Sequence, residues 1–169
     1  LIAATDFLLD RQINNSEWDI STTSKNKYST MLDAIVNDFA EFTAYLERDY
    51  IFAWLDWDGH NVLANGGIID YGSIRHFGVR HDQYRYDDTD RYSTNLNEQK
   101  LKARQIIQVF CQMMDFITTK EKKSLSSFKD HPAMKKFDQA FEYYLLERFL
   151  FQLGLDKKTR SDQLLRNKK

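Results

Sequence analysis

Residues 54–72 read WLDWDGHNVLANGGIIDYG, a stretch unlike the helical periodicity on either side of it. Asn61-Val62-Leu63-Ala64 and Gly67-Ile68-Ile69-Asp70 are two short β-like runs around Asn65-Gly66. That dipeptide is a strong signal for a tight hairpin turn, because both residues tolerate left-handed backbone. A hairpin here brings its outer residues, Asn61 and Asp70, to one end. Asp56 lies five positions before Asn61, and Asp70 opens the triplet Asp70-Tyr71-Gly72 nine positions after it.

Outward from this stretch the period changes from two to three or four. Upstream, Tyr28, Leu32, Ile35, Phe39, Phe42 and Leu46 fall on one face of a helix, with Thr30 and Asp33 spaced as a capping start. Downstream, a helix from about Asn97 to Thr118 carries Leu101, Ile106, Val109, Phe110, Met113, Met114 and Ile117, an apolar surface wide enough for a central, mostly buried element. A third helix follows Asp130-His131-Pro132, where proline suits a first turn. It carries Met134, Phe137, Phe141, Tyr144, Leu145 and Leu153 before Gly154 offers a stop. KEKKSLSSFKD at 120–130 reads as an exposed loop, and the terminal DKKTRSDQLLRNKK as a solvated basic helix end or tail. Five of the six glycines lie between the first two helices, where irregular structure and chemistry concentrate.

Composition bounds the possibilities. The 169 residues, 42% hydrophobic, suffice for one sizeable core and predict a single domain over 1–169. With 24 basic and 25 acidic residues the chain has no global field that draws it to nucleic acid or to an anionic membrane. No apolar run approaches the roughly 18 residues of a membrane span, and no signal peptide is evident, so a soluble, cytoplasmic protein is expected. The lone Cys111 sits in an apolar helical pattern and reads as a buried small hydrophobe. The chain starts at Leu1 and runs directly into the amphipathic LIAATDFLLD, which reads as a piece of something longer.

The spacing of the three polar residues carries the chemistry. In a kinase-like site an aspartate accepts or orients the nucleophile's proton, and an asparagine five residues on binds magnesium together with the aspartate of a D-F-G element. Magnesium asks for hard oxygen ligands in octahedral geometry, which a carboxylate, a carboxamide and a triphosphate supply. Asn61 and Asp70 are accordingly the candidate metal ligands, and Asp56 the candidate catalytic base, with Asp58 and His60 as competitors in the same loop. His76 and His81 beside Asp82 lack a completing ligand cluster and read as a surface or nucleotide-proximal loop. RHDQYRYDDTDRY at 80–92 falls where an activation or substrate loop belongs, or is a self-paired surface loop.

At these residues the sequence resembles the selenoprotein O family of kinase-like enzymes, whose asparagine and D-Y-G aspartate are separated as Asn61 and Asp70 are; Arg91-Tyr92-Ser93 and the following helix also look like that family's continuation. The resemblance covers roughly residues 30 to 118. Where that family has an aspartate just before the asparagine, this chain has His60. A weaker similarity is to aminoglycoside phosphotransferases, through H-x-D-x-x-x-x-N-V-L and G-I-I-D-F-G. Asp56, Asn61, Val62, Leu63, Ile68, Ile69 and Asp70 match these motifs, while Trp54 stands in place of the histidine. The resemblance implies a mainly α fold with a small β-hairpin, the carboxyl-terminal lobe of a protein-kinase-like fold. It implies Mg2+ and ATP as cofactors, and transfer of AMP to protein hydroxyls. No G-x-G-x-x-G element and no strand lysine of the V-A-I-K type occurs in these residues, so the nucleotide-covering lobe is absent from them and this portion alone is expected to be inactive. Two rival expectations stand beside this one: a phosphotransferase moving the γ-phosphate to a protein or small-molecule acceptor, and a non-catalytic helical interaction domain that keeps a degenerate hairpin.

Overall fold

The computed structural model describes residues 1–49, 51–53, 62–67, 74–76 and 96–166, with backbone alone for 51–53, 74–76, 96–98 and 165–166. The protein is mainly helical. Its elements are α1 (Ile2–Asn14), α2 (Lys27–Arg48), β1 (Ile51–Ala53), β2 (Ile74–His76), α3 (Leu96–Thr119), a 3-10 turn at Leu125–Phe128, α4 (Pro132–Gln152) and α5 (Lys157–Arg166).

The apolar face of α2 organises the core. Met31, Ile35, Val36, Phe39, Ala40 and Ala44 are buried along it, against Ala133, Met134, Phe137 and Phe141 of α4 and Ala103, Ile107 and Cys111 of α3. The fully buried alanines 40, 44 and 103 leave room for the helices to approach, and the aromatic rings fill the rest. Phe39 meets Phe110 of α3 with ring centroids 6.5 Å apart, and Phe137 stacks on Phe141 at 6.0 Å. On the other side α1 seats Thr5, Leu9 and Gln12, and Lys27 Nζ and Tyr28 Oη both donate to Asp6 Oδ1, at 2.7 and 2.9 Å.

One helix start differs from the sequence expectation for a local reason, and one helix end falls where the sequence put it. α2 begins before Thr30, at Lys27 after Asn26; the Thr30 hydroxyl turns back to the Asn26 carbonyl at 3.1 Å and caps nothing. The contacts to Asp6 and a turn closed by Lys27 N–H donating to Ser24 O hold the extra residues helical. α4 stops where Gly154 adopts φ +80, a left-handed end that needs glycine, which leaves Leu153 in the cap and exposed rather than in the core.

α3 is less buried than expected. Its inward ridge is Gln99, Ala103, Ile107, Cys111, Met114 and Ile117, while Leu101 and Val109 are at least half exposed. The segment after it is a loop only in part: Phe128 in the 3-10 turn is buried, and Gln108 and Gln112 of α3 donate to the Leu125 and Lys123 carbonyls at 2.6 and 2.7 Å. Past Gly154, α5 returns to the body through Leu164, which is buried.

The carboxyl end of α2 is clamped from α4 and α5. Arg148 makes a forked pair to Asp49, with Nε to Oδ1 at 2.9 Å and Nη2 to Oδ2 at 2.6 Å, while its guanidinium lies over the Tyr45 and Phe151 rings. Glu147 accepts from Arg160 Nε at 2.7 Å and from Tyr45 Oη at 3.2 Å. This polar set fixes the point from which the chain departs into β1. Among the described residues no helix is long and apolar enough to cross a membrane.

Candidate functional site

β1 and β2 pair antiparallel, Ile51 opposite His76, Phe52 opposite Arg75 and Ala53 opposite Ile74. The ladder brings Ala53 and Ile74 side by side. Neither strand figures in the sequence reading, because three residues apiece give too short a pattern to detect; the only signal is the β-branched or aromatic content of Ile51-Phe52 and Ile74.

Midway in sequence between the two strands the chain reverses at a defined turn. Leu63 N–H donates to the Gly67 carbonyl at 2.9 Å, and the Leu63 carbonyl accepts from Gly66 N–H at 3.0 Å. This is the three-residue arrangement in which Ala64 and Asn65 occupy the corners and a left-handed residue closes the loop. Gly66, at φ +77, is that residue. The tight turn read at Asn65-Gly66 is therefore centred one position earlier. Asn65 contributes with its side chain, its Oδ1 accepting from Gly67 N–H at 3.1 Å.

The turn rests on α2. Gly66 is buried, and a Cβ there would lie 3.2 Å from Phe42 Cβ and 3.5 Å from the Asp38 carbonyl. Glycine is needed twice over, for its backbone conformation and for this close approach. Ala64 is buried and Val62 packs on the core. Asn65 Nδ2 also donates to the Glu17 carboxylate, which reaches over from the segment after α1. In the same segment Trp18 is buried and its indole N–H donates to Asp38 Oδ2 at 2.8 Å. Burial pushes the Asp38 carboxyl above its ordinary range, the Trp18 hydrogen bond opposes this, and the nearby Glu41 and Glu17 charges add to it. The residues around Glu17 and Trp18 have no periodicity that would have marked them as supports for a turn more than forty positions away.

A groove of about 510 Å³ opens beside the turn, with Val62, Leu63, Phe39, Ile106, Phe110 and Leu125 among its lining. At the base of α3, Lys100 lies over the Phe141 ring and within 3.5 Å of Glu142. Burial raises the pKa of Glu47 at the end of α2, and Lys100 moderates the shift.

Asp56, Asp58, His60, Asn61 and Asp70, and likewise His81 and Asp82, lie outside the described residues; His76 is described by backbone alone, in β2. Of the two strands expected around the turn, residue 61 and residues 68–70 also lie outside them. Among the described residues no group of three or more His, Cys, Asp or Glu is disposed to hold a metal ion. Cys111 is buried as expected, and desolvation raises its thiol pKa to about 12, which favours the neutral thiol in the closed fold. No family model, no curated protein and no solved structure matches the chain.

Proposed function

We propose that this chain is the carboxyl-terminal lobe of an ATP- and magnesium-dependent transferase, most similar to the selenoprotein O enzymes that move AMP to protein hydroxyls. The observation that carries the reading is the turn at 63–67. It is anchored on α2 by a buried left-handed glycine, and in sequence it begins two positions after Asn61 and ends three before Asp70, between the paired strands β1 and β2. A reversal at that point is what two metal ligands nine residues apart require if they are to meet.

The donor set suits the ion. One carboxylate and one carboxamide are hard oxygen ligands, and they leave room for phosphate oxygens and water around magnesium. Bound there, magnesium would neutralise charge developing on the transferred phosphorus group. Asp56, or Asp58 or His60 in the same loop, would take or orient the proton of the acceptor hydroxyl. Nucleic acid and membrane are not proposed as partners, and a cytoplasmic setting is part of the proposal.

Incubation of the full-length protein with magnesium-ATP and candidate acceptor proteins, read by intact mass, tests the reading. Gain of a nucleotidyl mass supports AMP transfer. Gain of a phosphoryl mass replaces it with kinase-like phosphotransfer. No gain, together with no magnesium-dependent binding of ATP, replaces both with a helical interaction domain.

A further inference from the structure

The first turn of α4 is capped by a histidine in an unusual way. Pro132 occupies the first helical position and has no N–H to satisfy; the next two donors, Ala133 N–H and Met134 N–H, both go to His131, the first to its ring Nδ1 at 3.2 Å and the second to its carbonyl at 2.8 Å. An imidazole nitrogen that accepts a backbone N–H carries a lone pair, so the ring is neutral with its proton on Nε2. The Cys111 sulfur sits 3.4 Å from the same Nδ1, and Cys111, Ala133 and Met134 are all buried under the turn.

We propose that His131 is an acid-operated latch: its neutral imidazole closes the first turn of α4, and protonation at Nδ1 opens that turn and uncovers the Cys111 thiol. A protonated Nδ1 would point a second donor at the Ala133 N–H, and the cation would sit at the positive end of the helix dipole. Both effects oppose charge on the ring in the closed state.

The surroundings set the balance. From α3 the ring faces Cys111 and Asp115, and Asp115 is paired with Lys123 at 2.9 Å. From α4 it faces Lys136, itself paired with Asp33 of α2 at 2.6 Å. The 3-10 turn contributes the Phe128 ring, with centroids 6.2 Å apart, and Asp130 precedes the histidine in the chain. Burial is the largest influence and lowers the His131 pKa below 6.5, with Asp115 opposing and Lys136 assisting. The unfolded ring therefore binds its proton at a higher pH than the folded one. The closed turn is at full strength above pH 6.5, weakens as pH falls from there toward the folded value, and loses no more below it.

Because the chain has a single cysteine, the test is unambiguous. The native protein is treated with a disulfide probe that reacts with thiols in acid, such as dithiodipyridine, between about pH 8 and pH 5. The rate of Cys111 modification should climb as pH falls below 6.5, by about tenfold for each unit by which folding lowers the ring's pKa. His131→Asn keeps a neutral acceptor at the cap and should give a rate with no such climb. Equal pH dependence in the two proteins overturns the proposal. A second measurement serves if that variant does not fold: nitrogen chemical shifts of His131 in the wild-type protein. The proton should be on Nε2 near neutral pH, and the Ala133 amide should shift as the ring titrates. A proton on Nδ1, or an Ala133 amide unmoved through the titration, overturns it equally.

Discussion

Phe39 lies on the buried face of α2 and Gly66 rests against the same helix from outside it, and the two are held by different physics. Phe39 belongs to the three-helix core, where burial of area is non-directional and many side-chain sets of similar volume would serve. Gly66 belongs to the turn beside it, where one backbone angle and one close approach decide the outcome and no other residue meets both. The core tolerates exchange and sets stability. The turn tolerates little and contributes little area. Among the described residues the turn meets α2 at Asp38 and Phe42, with Glu17 and Trp18 of the segment after α1 reaching over to it and to Asp38.

The largest effect is expected in the core. Phe39→Ala removes a fully buried ring from between α2 and α3 and should destabilise the protein by about 3–5 kcal/mol, measured by urea unfolding. Phe39→Leu keeps most of the volume and should cost roughly half of that or less. Equal losses from both would mean that the ring's shape, and not its volume, is what the core needs, and the contrast with the turn would fail.

Gly66→Ala comes next. A left-handed angle costs an ordinary residue about 1–2 kcal/mol, and the added methyl would meet Phe42 at 3.2 Å, so the loss should be at least of that order. The same variant should weaken magnesium-ATP binding by more than Phe39→Leu does, although Phe39→Leu removes more buried surface. A Gly66→Ala protein that binds like the wild type would detach the turn from the site.

The two regions were unequally legible in the sequence. Helical periodicity located α2, α3 and α4 to within a few residues, since it sums many weak preferences, and Pro132 and Gly154 marked the ends of α4 by local chemistry. What periodicity does not encode is which face of α3 looks outward, so Leu101 and Val109 read as core when they are exposed. Asn65-Gly66 announced the turn because the dipeptide's backbone preference is local. The supports of that turn, Glu17 to Asn65 and Trp18 to Asp38, are long-range contacts between polar groups with no repeating pattern, and no reading of one segment at a time finds them. The three-residue strands β1 and β2 went unseen for a different reason, having too few positions for alternation to register.

Asp38 joins the two regions, and its ionisation gives a smaller effect. Its pKa is raised by burial, so the folded state disfavours the carboxylate; the cost is absent below the unfolded value of 3.8 and develops as pH rises through the folded value. Asp38→Asn keeps an oxygen for the Trp18 N–H and removes the charge. At neutral pH the variant should equal or exceed the wild type in stability, by up to about 1 kcal/mol, and the fall in stability with rising pH just above 3.8 should shrink. A variant distinctly less stable at neutral pH would mean that the carboxylate is held by partners the Trp18 bond does not account for.

The smallest effect on stability, and the largest on chemistry, is expected from Asn61→Ala and Asp70→Ala in the full-length protein. If the two residues are metal ligands that flank the turn and take no part in the core, each substitution should change unfolding free energy by no more than about 0.5 kcal/mol. Each should also abolish the magnesium-dependent rise in melting temperature with ATP, since a ligand that binds only the folded state stabilises it by mass action and loses that leverage when its metal is gone. Asp70→Ala should differ from Asn61→Ala in sign: if the loop carboxylates converge on the proposed metal site, removing one relieves repulsion in the metal-free protein, so it should be the more stable of the pair without magnesium and the two should converge when magnesium is added to both. Unfolding of both variants, with no magnesium-dependent shift in the wild type, would make the two residues structural and leave the turn as a plain reversal of the chain.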